Sequence, residues 1–203
     1  MQIQLNNIGK RYNREWIFRH FNYQFNSENS YAITGANGSG KSTLLQVIAG
    51  AILHTEGSVE MKNEELKMKN DELYKCVSIA APYLELVEEM TAKEMLEFHS
   101  NFKLLKHSVT EILQIAGLLK AADKQIRYFS SGMKQRLKLA QAFLSDTPVL
   151  LLDEPTTNLD ADGITLYHNL INNYTKNKLV IISSNDQQEY NFCNEIIEIG
   201  HYK

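Results

Sequence analysis

Apolar side chains change their spacing along this chain, and each spacing predicts an element. Residues 2–8 and 21–25 alternate polar and apolar positions, with Phe21, Tyr23 and Phe25 on one face, as half-buried strands do. Asn, Ser and Glu within 26–30 predict a turn, and Tyr31-Ala32-Ile33 a short strand that runs into a glycine-rich segment. Over 43–49, Leu44, Leu45, Val47 and Ile48 have helical spacing, and Gly50 suits a C-terminal cap. Residues 60–75, rich in Glu, Lys and Asn, predict an exposed loop or short helix, and Cys76 to Ala81 a buried strand. The stretch 92–145 reads as mostly helical from Leu96 and Phe98, then Ile112, Leu113, Ile115 and Leu118, then Leu137, Leu139, Ala140 and Phe143. Val149–Leu152 and Leu179–Ile182 are unbroken apolar runs, which suit strands covered on both faces in a parallel sheet.

Strands alternating with helices predict an α/β fold. The expected plan is a mostly parallel core sheet, an antiparallel β part at the N-terminus and an inserted helical subdomain. At 203 residues the chain is expected to form one domain, with a core from 1–81 and 146–203 and the helical subdomain at about 82–145. A formal net charge of −3 leaves no basic surplus, so nucleic acid is not the expected partner. The opening MQIQLNNIGKRY has no apolar core of the kind a secretory signal needs. No apolar run approaches the roughly 18 residues that span a bilayer, so a membrane link is expected to come through a partner. Cys76 and Cys193 stand outside any CxxC pattern, which predicts buried or half-buried thiols in a reducing compartment. The six histidines show no metal-ligand spacing.

The chemistry concentrates in two segments. Gly35-Ala36-Asn37-Gly38-Ser39-Gly40-Lys41-Ser42 matches GxxxxGK[ST] at every fixed position, between a predicted strand and a predicted helix. This predicts a P-loop NTPase. Glycines let the backbone turn its N–H groups onto phosphate oxygens, and the helix start favours an anion. Lys41 is expected to reach the β- and γ-phosphates, Ser42 to ligate Mg²⁺, and Thr43 to join the nucleotide contacts. Leu150-Leu151-Leu152-Asp153-Glu154 is an apolar strand ending in two carboxylates. Asp153 is expected to hold the Mg²⁺, and Glu154 to polarise the attacking water as general base. Lys41 and Asp153 are 112 residues apart, too far for a minimal βαβ site, so a sizeable insertion is expected between them.

Between those segments lies Phe129-Ser130-Ser131-Gly132-Met133-Lys134-Gln135-Arg136, which resembles the signature of ABC-type ATPases. Pro155-Thr156-Thr157-Asn158-Leu159-Asp160 is similar to that family's D-loop, and Lys10-Arg11-Tyr12 to its A-loop. The resemblance runs from Tyr12 to Asn185. It implies ATP and Mg²⁺ as ligands, with Tyr12 stacked on adenine. It also implies a head-to-tail pair, either a homodimer or a dimer with a second ABC subunit. Ser130, Ser131 and Gly132 of one copy would then face the phosphate loop of the other. Ser130 suits a plain helix N-cap as well.

Two positions depart from the family pattern. Pro82 stands where a glutamine is expected and offers neither a side-chain amide nor a backbone N–H. Asn185 stands where a histidine is expected. Its amide can donate to a γ-phosphate but carries no charge, and it also suits a turn cap. With Glu154 retained, hydrolysis is expected to survive. The resemblance implies an ATP-hydrolysing subunit that powers a transmembrane ABC partner from the cytoplasmic face of the cell membrane. A soluble ATPase acting in assembly or scaffolding is the alternative.

Overall fold

The unbroken apolar runs lie at the centre of a sheet, as their lack of a polar face requires. The computed structural model describes residues 1–62 and 74–203. It contains a parallel sheet built from β3 (Ser30–Thr34), β5 (Val77–Ala80), β6 (Val149–Asp153), β7 (Leu179–Ser183) and β8 (Glu195–Glu198). Their spatial order is β5-β6-β7-β3-β8, with every neighbouring pair parallel. Side chains of β6 alternate across the sheet: Leu150 and Leu152 enter one core, Val149 and Leu151 the other. In β7, Val180 and Ile182 oppose Leu179 and Ile181 in the same way. All eight are at most 2% exposed, and each such burial contributes about 1.5–3 kcal/mol.

The core that takes Leu150 and Leu152 is filled by α2 (Ala92–Ser100), α3 (Val109–Ile115), α4 (Ser131–Leu144) and α5 (Ala161–Tyr174). The opposite core is closed by α1 (Lys41–Ile48) and by an antiparallel sheet of order β2-β1-β4. That sheet comprises β1 (Gln2–Tyr12), β2 (Glu15–Asn26) and β4 (Glu56–Lys62). The expected α/β plan, with its parallel core and antiparallel N-terminal part, is the one observed.

Several elements differ in detail from the pattern reading. The two short strands expected at 2–8 and 21–25 extend into one long hairpin whose turn is Asn13-Arg14, with Asn13 at φ 52°. Residues 60–62, expected in a loop, finish β4, whereas 63–73 lie outside the described residues. The helical stretch at 92–145 is broken by irregular chain and by 3₁₀ turns at Leu119–Ala121 and Ile126–Tyr128. Its breaks are written in capping boxes: Thr91 with Glu94 opens α2, and Ser108 with Glu111 opens α3. Cys76 is buried and Cys193 half-buried. No helix among the described residues is long and apolar enough to cross a membrane.

His99 of α2 and Lys178, just before β7, both bond to the end of α4. His99 Nε2 lies 2.9 Å from Ser145 Oγ, and the buried Lys178 ammonium donates to the carbonyls of Phe143 and Ser145. Burial, helped by the Lys103 charge, pushes the His99 imidazole down to about 4. An unfolded chain protonates this group near 6.5. Between those values the unfolded state binds more protons, so stability is full above about pH 6.5 and falls as pH drops toward 4. A His99→Gln variant is expected to flatten the slope of urea midpoint against pH in that window. An unchanged slope would mean that His99 does not set it.

Candidate active site

Parallel pairing brings the chemistry of three strands to one edge. Ile33 pairs with Ser183, and Asp153 pairs with Ser183 from the other side. The chain continues in step beyond the strands. Ser184 N–H donates to Ile33 C=O at 3.2 Å, and Glu154 N–H to Ser183 C=O at 2.9 Å. The segments that follow β3, β6 and β7 therefore emerge together at the carboxyl edge, where open α/β sheets hold ligands. These segments carry the phosphate loop, the acidic pair and Asn185.

The phosphate loop is a backbone cradle between β3 and α1. Gly35, Gly38 and Gly40 have φ of 142°, 76° and 103°. A Cβ on Gly40 would lie 2.5 Å from Ile17 Cγ2, and one on Gly35 2.8 Å from Glu198 Oε1. Gly38 faces open space. Ser39 N–H closes the turn onto Ala36 C=O at 3.0 Å. Gly40 caps α1 with no side-chain hydrogen bond, and no acidic residue stands in its first turn. The first N–H groups of α1 thus remain available to an anion. The Lys41 side chain is 5% exposed, and its ammonium donates to Gly35 C=O at 2.7 Å and Ala36 C=O at 3.4 Å. Ser39 Oγ is buried and makes no hydrogen bond.

Asp153 is 2% exposed, and its Oδ1 is also buried without a hydrogen-bond partner. Burial raises its carboxyl above the ordinary range. The hydroxyls of Ser42 and Ser183 and the charge of Lys41 pull it down, and the charge of Glu154 adds to the rise. A buried carboxylate oxygen without a partner, beside a serine hydroxyl, is an all-oxygen donor set that fits Mg²⁺. Glu154 is exposed, at φ 42°. A non-glycine residue in that region is uncommon and persists only where its surroundings enforce it.

Asn185 grips the start of the cradle. Its Oδ1 accepts from Gly35 N–H at 3.2 Å, and its Nδ2 donates to Asn37 Oδ1 at 3.3 Å. The turn-cap alternative fails, because Asp186 caps the following helix, α6 (Gln187–Tyr190), through Gln188 N–H. Pro82 is exposed, and its carbonyl accepts from the Lys138 ammonium at 3.0 Å. Its neighbour Tyr83 is 41% exposed. The Tyr83 hydroxyl is hydrogen-bonded to Gln46, one helical turn beyond Ser42, and lies within the field of Asp153. Burial, followed by that charge, raises the phenol above its ordinary range.

The signature segment is fastened to the loop after Glu154. Ser130 caps α4, accepting from Met133 N–H at 3.2 Å, with Ser131 and Gly132 in the first turn. A Cβ on Gly132 would lie 3.1 Å from Asn158 C=O. The buried Gln135 amide donates to Pro155 C=O at 2.8 Å. The Arg136 guanidinium pairs with Asp160, which itself caps α5 through Gly163 N–H. Tyr12 stands at the tip of the β1–β2 hairpin with its ring 47% exposed and the Lys10 ammonium 4.7 Å from its centroid. The same hairpin touches the phosphate loop where Ile17 meets Gly40. Tyr83 and Gln46 escape a motif reading, since each acts across the fold rather than along the chain.

Gly40→Ala is expected to abolish nucleotide binding and to cost about 1–3 kcal/mol of stability, because it combines left-handed strain with the Ile17 clash. Gly38→Ala meets open space and should cost only the conformational strain, about 1 kcal/mol. Titration with a fluorescent ATP analogue and thermal melts check both. Equal loss in the two variants would contradict the packing account.

The comparisons with known proteins follow this geometry. The family model described as "ABC transporter" matches residues 18–157. The chain is 30% identical over 203 residues to the uncharacterized ABC transporter ATP-binding protein YybJ of Bacillus subtilis, covering 98% of this chain and 93% of that protein. It is 31% identical over 184 residues to the bacitracin transport ATP-binding protein BcrA of Bacillus licheniformis, covering 89% of this chain and 60% of BcrA. It therefore spans less than two thirds of that relative's length. Among solved structures, the dimeric bacterial ABC transporter cassette MJ0796 superposes with a TM-score of 0.82 at 26% identity, covering 98% of this chain and 95% of that one. The chain belongs to the ABC transporter family and is one of its ATPase subunits.

Proposed function

We propose that this chain binds ATP with Mg²⁺, pairs head to tail with a second ATPase subunit, and uses hydrolysis to drive a transmembrane partner. The observation that carries the reading is the meeting of Lys41, Asp153, Glu154 and Asn185 at the carboxyl edge of β3, β6 and β7. The roles follow from chemistry. The loop from Gly35 to Thr43 wraps the phosphates with backbone N–H groups, and Lys41 neutralises their charge. Ser42 and Asp153 would hold Mg²⁺, which when bound screens the phosphate charge and orients the terminal group. Glu154, exposed beside Asp153, takes the proton of the attacking water. Asn185 offers one neutral donor to the terminal phosphate. Tyr12 stacks on the adenine.

Ser130, Ser131 and Gly132 open α4 with N–H groups suited to an anion. They lie against the chain's own loop at 155–160, so their phosphate is proposed to be that of the partner subunit. The membrane partner is proposed to dock along the groove lined by Pro82, Leu84, Leu86, Val87, Lys134 and Lys138, in the helical subdomain at 82–145. That docking would hold the subunit peripherally on the cytoplasmic face of the membrane. Transport systems named for relatives, such as that of BcrA, support a transporter over a scaffold.

Glu154→Gln removes the base and leaves every binding group. Turnover is expected to fall by about 10²–10⁴, and the variant should accumulate as a dimer when ATP and Mg²⁺ are present. Sedimentation velocity checks this. A variant that stays monomeric with saturating ATP would contradict the head-to-tail site.

A further inference from the structure

Glu189 is a buried carboxylate that no step above uses. It is 3% exposed, on the short helix α6 that begins two residues after Asn185. Its Oε1 accepts two hydrogen bonds from one residue: Thr156 N–H at 2.7 Å and Thr156 Oγ1–H at 2.5 Å. Its own backbone is anchored from below, where the fully buried Tyr167 of α5 donates its hydroxyl to Glu189 C=O. Among the described residues no Lys, Arg or His side chain forms an ion pair with it. Burying a carboxylate is costly unless strong hydrogen bonds compensate, and the two from Thr156 are of the charge-assisted kind.

Both ends of this contact lie next to catalytic groups. Thr156 follows Glu154 by two residues, and Thr157 N–H closes a turn on Glu154 C=O at 3.1 Å. Glu154 holds its left-handed φ between two restraints: its own N–H on Ser183 C=O, and the fixed position of the loop that follows. Glu189 supplies the second restraint. At the other end, Asn185 precedes Glu189 by four residues and holds Gly35 and Asn37. One carboxylate thus ties the segment that bears Asn185 to the loop that bears Glu154. The same loop continues to Asn158 and Asp160, which hold the signature helix.

We propose that Glu189 is a positioning residue for hydrolysis: through Thr156 it fixes the water-polarising carboxylate relative to the γ-phosphate donor. The proposal rests on the reading of Glu154 and Asn185 given above. A misplacement of about 1 Å at a reacting group can cost on the order of 10²-fold in rate, while phosphate-loop contacts are left intact.

The test compares Glu189→Ala, Glu189→Gln, Thr156→Val and Thr156→Ser in the full-length chain. Steady-state kinetics are read beside the affinity for a fluorescent ATP analogue without turnover and the melting temperature. Glu189→Ala is expected to lower kcat by about 10–100-fold while affinity stays within about threefold. Glu189→Gln keeps an acceptor oxygen and should recover most of the rate. Thr156→Val should fall between, and Thr156→Ser should match the native protein. Native kcat in Glu189→Ala would overturn the proposal. So would kcat and affinity falling together in step with melting temperature. If Glu189→Ala does not fold, equal kcat in the two Thr156 variants overturns it. A native protein with no ATPase activity would instead sink the reading of Glu154 and Asn185, a distinguishable result.

Discussion

Parallel pairing of β6, β7 and β3 is the constraint on which the rest of the site depends. Asp153 and Ile33 both pair with Ser183, and one further hydrogen bond on each side carries the alignment past the strand ends. The segments beyond the three strands, separated by long stretches of sequence, thereby converge. The alignment is held by side chains that contribute nothing to chemistry. Leu150, Leu152, Val180 and Ile182 are pinned by helices on one face, and Val149, Leu151, Leu179 and Ile181 by α1 and the antiparallel sheet on the other. A one-residue slip in β6 would exchange its two faces and move Asp153 off the edge.

On that edge the fold accepts local costs. Ser39 Oγ and Asp153 Oδ1 are buried polar atoms without hydrogen bonds, and Glu154 sits in a backbone region that its side chain disfavours. Away from that edge Gln141 Nε2 in α4 is also buried without a partner, whereas the helix ends are closed. Capping boxes open α2 and α3, and Lys178 closes the end of α4. Unsatisfied atoms gathered at the mouth of the phosphate loop suit a site whose missing partners are phosphate oxygens and a hard cation. The signature helix belongs to the same unit mechanically, since Gln135, Arg136 and Gly132 attach it to the loop that follows Glu154.

How much of this was legible in the sequence depends on range. Buried strands without a polar face announce themselves, and so does a glycine pattern that only a phosphate loop needs. Gly35 to Ser42 and Asp153 are therefore readable from local spacing. The edge strand β8 is only four residues long, and β4 alternates weakly around Gly57, so neither rises above the background. Helix α5 buries Gly163, Tyr167, Leu170 and Ile171 at helical spacing, yet the intervening Thr, His and Asn residues blur the stripe. Tyr83 and Glu189 stayed hidden because their partners are Gln46 and Thr156, each more than 30 residues away.

On the proposed reading, the groups gathered on one chain form half of a catalytic site. Its phosphate loop, carboxylates and Asn185 share an edge, while Ser130 to Gly132 open α4 against the loop at 155–160. The proposed completion by a second subunit is tested most directly by turnover per chain as a function of protein concentration, at saturating ATP and Mg²⁺ in the absence of any partner. Head-to-tail pairing predicts that the rate per chain rises with concentration and then levels off, over a range from about 10 nM to about 10 μM. A rate per chain that stays constant at every concentration across that range would contradict it.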